Sequence, residues 1–216
     1  MNRELIDKTV EYLKKTFEES EYIKEEPGIM DYRIEHSFRV ANIAKTIAEK
    51  EGFNVTDMVI ACLLHDIAYS RPFRDSKDWL DHGRNSARMI RPFLFELGLE
   101  EKRVNDICFA IAIHVDDKAD FEGEYTPFTR TVYDADNIDH FDALRIFENL
   151  AVSEFPDLDL EKKKAHLLDL LEKLKAYYSE ELSTSTATEL WRDRVAFYYT
   201  YYERLLSQIE TSGGVL

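Results

Sequence analysis

The sequence is poor in the residues that mark disulfide-rich, disordered or basic proteins. It has two cysteines, five prolines and seven glycines among 216 residues, with no low-complexity tract and no repeat of fixed period. Lys and Arg total 28 against 43 for Asp and Glu, which gives a formal net charge of -15. Such a field repels polyanions, so we expect no polymeric nucleic acid as a partner, although a local basic pocket could hold a small phosphate ester.

Long hydrophobic runs are also missing. No apolar stretch approaches the ~20 residues needed to cross a bilayer, so we expect no membrane association. Cys62 and Cys108 lie inside apolar stretches, which is typical of buried thiols in a reducing compartment. The first residues begin an amphipathic segment rather than a signal peptide, and we therefore predict a cytoplasmic protein. The length and composition favour one domain over residues 1–216.

Hydrophobic residues recur at helical spacing along almost the whole chain, and period-2 alternation is nowhere convincing. The sequence therefore predicts an all-α fold. A helix that begins near His82 contains Pro92, which is expected to kink or break it. Asn54 or Thr56 is expected to cap the helix that leads to His65. The other helices expected in the first two thirds cover residues 3–19, 32–50 and 100–114 and a stretch through Asp136, with a loop over 115–127.

The last third of the sequence has two long amphipathic stretches, over residues 160–182 and 188–209. We expect them to form a helical pair, about 160–210, that packs on the rest of the bundle. Thr186 and Glu189 have the spacing of a capping box, which predicts the start of the second helix. The pair could cover a cavity or provide the surface of a homodimer.

The dipeptide His65-Asp66 follows directly on the apolar run of residues 58–64. A run that is apolar on every side is typical of a buried helix, and desolvating a lone carboxylate costs several kcal/mol or more. Five of the six histidines lie between positions 36 and 140, together with Asp136. Imidazole nitrogens and carboxylate oxygens gathered in this way are ligands for a divalent transition metal, so we interpret the chain as a metal-dependent hydrolase.

The order of His36, His65-Asp66 and Asp136 resembles the HD-domain superfamily of metal-dependent phosphohydrolases. The local sequences around residues 36–40, 64–68 and 134–139 fit as well, and the resemblance runs from about residue 30 to 141. It implies an HD-domain-like helical bundle with a metal held by His36, His65, Asp66 and Asp136. Asp136 is chosen over the neighbouring aspartates because it matches the family's Ala-Asp-x-aliphatic pattern. The aspartates set aside are Asp134 and Asp139.

Two further histidines bear on the number of metal ions. Some members of the superfamily hold a second metal with two more histidines, and the dyad aspartate then bridges both ions. His82 and His114 occupy the matching positions here. The alternative is that His82 caps a helix and His114 favours a helix dipole. The resemblance thus implies one or two ions of Fe, Mn, Co, Ni or Zn, with His140 as a candidate partner behind the ligands.

The chemistry that the resemblance implies is attack by a metal-activated hydroxide on phosphorus. Asp66 and Arg39 are the candidate catalytic residues, and Arg39, one turn after His36, is the first candidate for gripping a phosphate. Arg71, Arg74 and Lys77 lie in the loop between the dyad and His82 and are further candidates for the substrate phosphate. An ordinary solvated loop is the alternative interpretation of these three side chains. Weaker candidates are Arg84 and Arg88 beyond His82, and Asp116, Asp117 and Lys118 after His114.

Three functions remain open on the sequence alone. The first is hydrolysis of a phosphate ester or anhydride in a small phosphorylated molecule, with a nucleotide as the favoured substrate. The second is a di-iron oxygenase of the HD-domain type, whose ligand set is nearly the same. The third is a non-catalytic module that senses nucleotides, which a lost metal ligand would favour; all four core positions are present.

Overall fold

The computed structural model describes residues 1–213, and residues 214–216 of the predicted domain lie outside the described residues. All secondary-structure elements assigned within residues 1–213 are α-helices or 3₁₀ helices, so the prediction of an all-α fold is confirmed. Short 3₁₀ turns cover Ile67–Ser70, Phe155–Asp157 and Thr211–Gly213. The α-helices are α1 (Arg3–Glu18), α2 (Glu21–Glu25), α3 (Pro27–Glu51), α4 (Val55–Leu64), α5 (Ser76–Leu80), α6 (His82–Glu96), α7 (Glu101–Ile113), α8 (Pro127–Asp139), α9 (Ala143–Val152), α10 (Leu160–Tyr178) and α11 (Ser185–Glu210).

The chain divides into two compact units, Met1–Asp136 and Asn137–Leu216. In the first unit, α3 packs along α4, α6 packs along α7, and α4 also contacts α1 and α7. In the second unit, α10 and α11 pack along each other, and α9 contacts the turn at Phe155–Asp157. One domain over the whole chain stays a prediction. No helix in residues 1–213 is both long enough and apolar enough to cross a membrane.

Helix α4 is the centre of the first unit. Its residues from Thr56 to Leu64 are all buried, because α1, α3 and α7 surround it. Asn54 begins the helix, since its side-chain oxygen accepts the N–H groups of Thr56 and Asp57 at 3.1 and 3.2 Å, as one of the two predicted caps. The helix ends in the apolar interior at His65, so the following residues begin in a place that water does not reach.

Helix α3 brings a second strip of residues against α4. It begins at Pro27, five residues before the predicted start, because proline at the first helical position needs no N–H partner. It ends at Gly52, as predicted, where φ is 76° and the left-handed backbone accommodates glycine without strain. His36 therefore lies in the middle of a long, continuous helix, where its position is fixed.

Two details of the predicted helices are wrong. Pro92 does not break α6, which runs from His82 to Glu96, because its extensive packing against α7 outweighs the loss of one backbone hydrogen bond. A kink at Pro92 stays a prediction. Helix α11 is capped by Thr184 and not by Thr186, since the Thr184 hydroxyl accepts the N–H of Ala187 at 3.0 Å. The helix consequently begins at Ser185, three residues before the predicted start.

The second unit has an aromatic interior. Trp191, Tyr198 and Tyr202 on α11 are buried. The ring of Phe141 meets Trp191 edge-on at 4.7 Å and Tyr198 at 5.1 Å. The polar atoms are also satisfied, because Trp191 donates its indole N–H to the Tyr177 carbonyl at 2.7 Å.

Candidate metal centre

Six side chains from five helices converge inside the first unit. Helix α3 brings His36, the end of α4 brings His65 and Asp66, the start of α6 brings His82, the end of α7 brings His114, and α8 brings Asp136. All are buried except Asp136, whose side chain is 18 % exposed. Four of the six lie at helix ends, where the chain turns and a side chain can reach inward without crowding a neighbouring turn.

The first cluster comprises His36, His65, Asp66 and Asp136. The Nε2 atom of His36 lies 3.1 Å from Oδ1 of Asp136 and 3.7 Å from Oδ2 of Asp66. The Nε2 atom of His65 lies 3.8 Å from each of the same two oxygens. Two nitrogens and two oxygens thus enclose one small volume.

The second cluster comprises His82, His114 and the same Asp66. Its Oδ1 atom lies 3.3 Å from Nε2 of His82 and 3.7 Å from Nε2 of His114. The two histidine nitrogens are 3.2 Å apart. Asp66 therefore directs one carboxylate oxygen to each cluster and joins them.

The backbone holds three of the imidazoles in one tautomer. The Nδ1 atom of each lies near a carbonyl three residues earlier: His65 at 2.8 Å from Cys62, His82 at 2.6 Å from Trp79, and His114 at 2.6 Å from Ile111. Because a carbonyl only accepts, each Nδ1 carries the hydrogen and each Nε2 keeps a lone pair for the cluster. The Nε2 atom of His65 is buried and has no hydrogen-bond partner among the described residues.

The electrostatics of the site favour positive charge. Burial alone would lower the pKa of His65, but the carboxylates of Asp66 and Asp136 outweigh it and raise that pKa. Burial would likewise raise the pKa of Asp66, yet the neighbouring imidazoles and Arg33 hold it well below its usual range. Burial and the neighbouring imidazoles of His65 and His82 lower the pKa of His114, which favours the neutral form that can coordinate a metal. These donors fit a divalent metal ion.

Gly83 permits the close approach of His82 and His114. A Cβ atom at this position would lie 2.8 Å from the Ile111 carbonyl oxygen, 3.0 Å from the Ala112 carbonyl oxygen and 3.0 Å from Nδ1 of His114. Two of these atoms belong to the backbone of α7 and cannot move aside cheaply. The absence of a side chain at residue 83 is therefore part of how the second cluster is assembled.

Arg33 is a residue of the site that the sequence analysis missed. Its Nη1 atom lies 2.7 Å from Oδ2 of Asp66, and its guanidinium carbon lies 3.3 Å from the centroid of the Tyr69 ring. Its Nε atom is buried without a hydrogen-bond partner among the described residues. Arg33 precedes His36 by one helical turn, so the spacing that selected Arg39 after His36 also indicates Arg33 before it.

The predicted phosphate-binding residues lie in varied surroundings. Arg39 is half-buried on α3, whereas Arg71 and Lys77 are exposed, and their role stays a prediction. Arg74 instead forms a two-pronged ion pair with Asp78, at 2.6 and 2.9 Å, on an exposed loop. Arg84 is buried and binds Asp81 and Asp116, which gives it a structural role.

The aspartates near Asp136 have different surroundings. Asp139 belongs to the second unit and pairs there with Arg145 at 3.2 Å. Asp134 is buried. His140 is exposed, and its role behind the ligands stays a prediction, as does the ligand role of each residue in the two clusters.

Comparison with known proteins gives the same picture. Residues 33–141, just over half of the chain, match the HD domain. A crystal structure of a predicted HD superfamily hydrolase from an uncultured Thermotogales bacterium aligns with a TM-score of 0.61 at 21 % identity, over 94 % of this chain and 91 % of that one. Bacillus subtilis YpgQ in complex with ADP aligns with a TM-score of 0.62 at 20 % identity, over 95 % of each chain.

A search of curated proteins found no sequence that matches the chain. At these identities the two structures are evidence for a shared fold only. The match to the HD domain covers His36, the His65-Asp66 dyad, His82, His114 and Asp136, the residues that converge in the two clusters. This chain belongs to the HD-domain family.

Proposed function

We propose that this protein is a metal-dependent phosphohydrolase that cleaves a phosphate ester or anhydride of a nucleotide. The observation that carries the proposal is the position of Asp66, whose two carboxylate oxygens face two separate groups of imidazoles. A carboxylate shared in this way suits a pair of divalent ions. Membership in a superfamily of metal-dependent phosphohydrolases supports the reaction type.

The ligands follow from the two clusters. His36, His65 and Asp136 would hold one ion with Oδ2 of Asp66, and His82 and His114 would hold another with Oδ1. When bound, such ions lower the pKa of a water molecule and neutralise the charge that grows on the phosphoryl oxygens. The carbonyl groups behind His65, His82 and His114 hold a hydrogen on each Nδ1, leave Nε2 as the coordinating atom and fix the plane of each ring.

Arg33 contributes a fixed positive charge to the same place. Its hydrogen bond to Asp66 holds the carboxylate oriented between the two clusters, and the stack on Tyr69 holds the guanidinium in turn. Tyr69 also accepts a hydrogen bond from the indole of Trp79 at 3.0 Å. These contacts position the dyad aspartate, while Arg39 is the proposed contact to a substrate phosphate.

A nucleotide substrate has two supports. The net charge of -15 disfavours a polymeric nucleic acid but leaves small phosphorylated molecules open. The YpgQ structure, which shares this fold, contains ADP. We infer from these two points that a nucleoside phosphate is the substrate class.

The test combines metal content with turnover. Protein purified without chelator should contain close to two metal ions per chain by mass spectrometry, and close to one if the second cluster does not bind. Manganese-, cobalt- or iron-loaded protein should then hydrolyse at least one member of a panel of nucleoside mono-, di- and triphosphates, cyclic nucleotides and dinucleoside polyphosphates. Chelation should abolish this activity, and re-addition of metal should restore it.

Two results would overturn the proposal. Turnover that survives complete removal of the metal would show that the clusters are not the reaction centre. A mixed-valent di-iron signal with oxygen consumption, and no phosphate release from any panel member, would favour the oxygenase instead.

A further inference from the structure

A cavity lies between the residues that follow α7 and helix α8, the two elements that bring His114 and Asp136 to the clusters. Its volume is about 280 Å³, just below the roughly 300 Å³ at which sites for whole ligands begin, so it suits one portion of a larger molecule. It is lined by Ile113, Val115, Asp116, Asp117, Arg130 and Tyr133.

The position of the cavity relates it to the proposed metal ligands. Ile113 and Val115 are the chain neighbours of His114 in the second cluster. Arg130 and Tyr133 precede Asp136 of the first cluster on α8 in steps of three residues, each step a rise of about 4.5 Å. Since elements of both clusters border the cavity, we take it as the place for the next chemical group of a molecule whose phosphate lies at the clusters.

The charges of the cavity disfavour a second phosphate. Its lining carries two carboxylates and one guanidinium. Asp116 is already neutralised by Arg84, which binds it at 2.6 Å. Asp117 and Arg130 face each other at 3.4 Å and are 59 % and 46 % exposed. With no excess of positive charge, the cavity suits a neutral group that carries hydrogen-bond donors and acceptors.

The backbone of Asp117 is held in an unusual conformation. Its φ of 58° is in the left-handed region, which is uncommon for residues other than glycine. Two contacts fix this conformation: the Asp117 N–H donates to the Ile113 carbonyl at 2.9 Å, and the Tyr125 hydroxyl donates to the Asp117 carbonyl at 2.9 Å. These contacts fix the backbone of Asp117, and its carboxylate lines the cavity beside Arg130, with the exposed ring of Tyr133 as another lining group.

We propose that this cavity binds the nucleoside portion of the substrate, with the Asp117 carboxylate accepting hydrogen bonds from the sugar hydroxyls. Two neighbouring hydroxyls of a sugar present two donors to the two oxygens of a carboxylate, as in other nucleotide sites. The inference rests on the proposed function, because it places the phosphate at the clusters. Beyond the proposed function, the inference names Asp117 as the residue that binds the sugar.

The experiment uses nucleosides that carry no phosphate, so that binding is measured without hydrolysis. Calorimetric titration of the metal-loaded full chain compares the common nucleosides with their 2′,3′-dideoxy counterparts. Asp117→Gly removes the carboxylate and tolerates the left-handed backbone, and Asp117→Asn removes only the charge while also tolerating it. Asp120→Asn is the matched control, since Asp120 is another acid of the same loop and pairs with Arg88.

Asp117→Gly should weaken binding of the hydroxyl-bearing nucleosides by about tenfold, the loss expected for a hydrogen bond to a charged group. Asp117→Asn should weaken it less, and Asp120→Asn should leave it within about twofold. Neither Asp117 variant should change the affinity of the dideoxynucleosides, so the hydroxyls and the carboxylate should be coupled in a double-mutant cycle.

Equal effects of Asp117→Gly on both sets of nucleosides, or no nucleoside binding by the unaltered protein, would overturn the inference. The proposed function is judged separately. Wild-type protein that binds nucleosides through Asp117 but releases phosphate from no substrate would uphold the inference and refute the phosphohydrolase. The opposite result is hydrolysis of p-nitrophenyl phosphate, which has no sugar, together with nucleoside binding that the Asp117 variants do not change. It would uphold the phosphohydrolase and refute the inference.

Discussion

One buried polar pair in each unit shows two opposite arrangements. In the second unit the buried pair Arg145 and Asp139 carries opposite charges at 3.2 Å, so that each group satisfies the other. In the first unit the Nε2 atoms of His82 and His114 face each other at 3.2 Å, and both are acceptors. Two lone pairs at this distance repel unless a proton or a cation lies between them.

The comparison shows which kind of buried charge indicates function. Asp57 in the first unit is also buried, but Arg103 holds it with hydrogen bonds of 2.6 and 3.0 Å, so it needs nothing further. In the clusters around Asp66, by contrast, imidazole nitrogens converge on one another and the Nε2 atom of His65 has no hydrogen-bond partner among the described residues. Burial is therefore the common feature, and the convergence of several imidazole nitrogens on one carboxylate is the distinguishing one.

The largest expected effect comes from Asp66→Ala, which would remove the proposed shared ligand. Metal content should fall from about two ions per chain towards zero, and kcat/KM should drop by about 10³-fold or more, because several kcal/mol of metal-dependent stabilisation disappear. Mass spectrometry of the intact protein and steady-state kinetics measure the two effects.

Asp57→Asn is the matched control for that change. It alters an equally buried carboxylate and should lower the free energy of unfolding, by about 1–3 kcal/mol, because Arg103 loses a charged partner. Its metal content should stay at the wild-type value. If Asp57→Asn lost metal as completely as Asp66→Ala, the distinction between satisfied and unsatisfied buried charge would be wrong.

The next effect concerns the second unit. Trp191→Ala would empty the space between Phe141 and Tyr177 and leave the Tyr177 carbonyl without its donor. We expect a loss of about 3 kcal/mol in the free energy of unfolding, measured by urea titration with circular dichroism. Metal ions per folded chain should not change, because the residues of both clusters lie between His36 and Asp136. A folded variant with less metal would contradict this separation.

The smallest effect tests packing inside the first unit. Gly83→Ala should cost about 1–2 kcal/mol of unfolding free energy, since its Cβ would meet backbone atoms of α7. It should also weaken binding of the second metal ion, because it moves His82 away from His114. Metal titration would show one tight and one weakened site.

Gly28→Ala provides the comparison for that variant. Gly28 lies in α3 with open space around its Cα, so alanine should be neutral or stabilise by about 0.5 kcal/mol. Metal binding by Gly28→Ala should match the wild type. If Gly83→Ala behaved in the same way, the close approach of α6 and α7 would not matter for the second cluster.

Much of the fold could be predicted from the sequence because its signals are local. The apolar run before His65 has the composition of a helix buried on all sides, and α4 is buried from Thr56 to Leu64. The glycine at 52 ends α3 where the spacing predicts it. The same reasoning failed at Pro92, because contacts between α6 and α7 decide whether that helix continues, and such contacts are not written in the local sequence.

The site could be predicted only in part, for a related reason. The order of the His and Asp residues indicated the two clusters, but it gave no sign that Arg33 would bind Asp66. That contact depends on how the end of α4 meets α3 in space. The cations of the loop were selected by their charge alone. Arg74 shows the weakness of that criterion, because its guanidinium donates two hydrogen bonds to Asp78, four residues away.

Three imidazoles donate hydrogen bonds to backbone carbonyl groups three residues earlier. This support does not depend on which amino acid carries the carbonyl. Every residue type carries a backbone carbonyl, so Cys62, Trp79 and Ile111 could be exchanged for others while the rings kept their aim. In a metal centre whose ligands are oriented by main-chain groups, the supporting side chains can change while the ligands keep their geometry. Selection then needs to preserve only the ligands and the turns that present them.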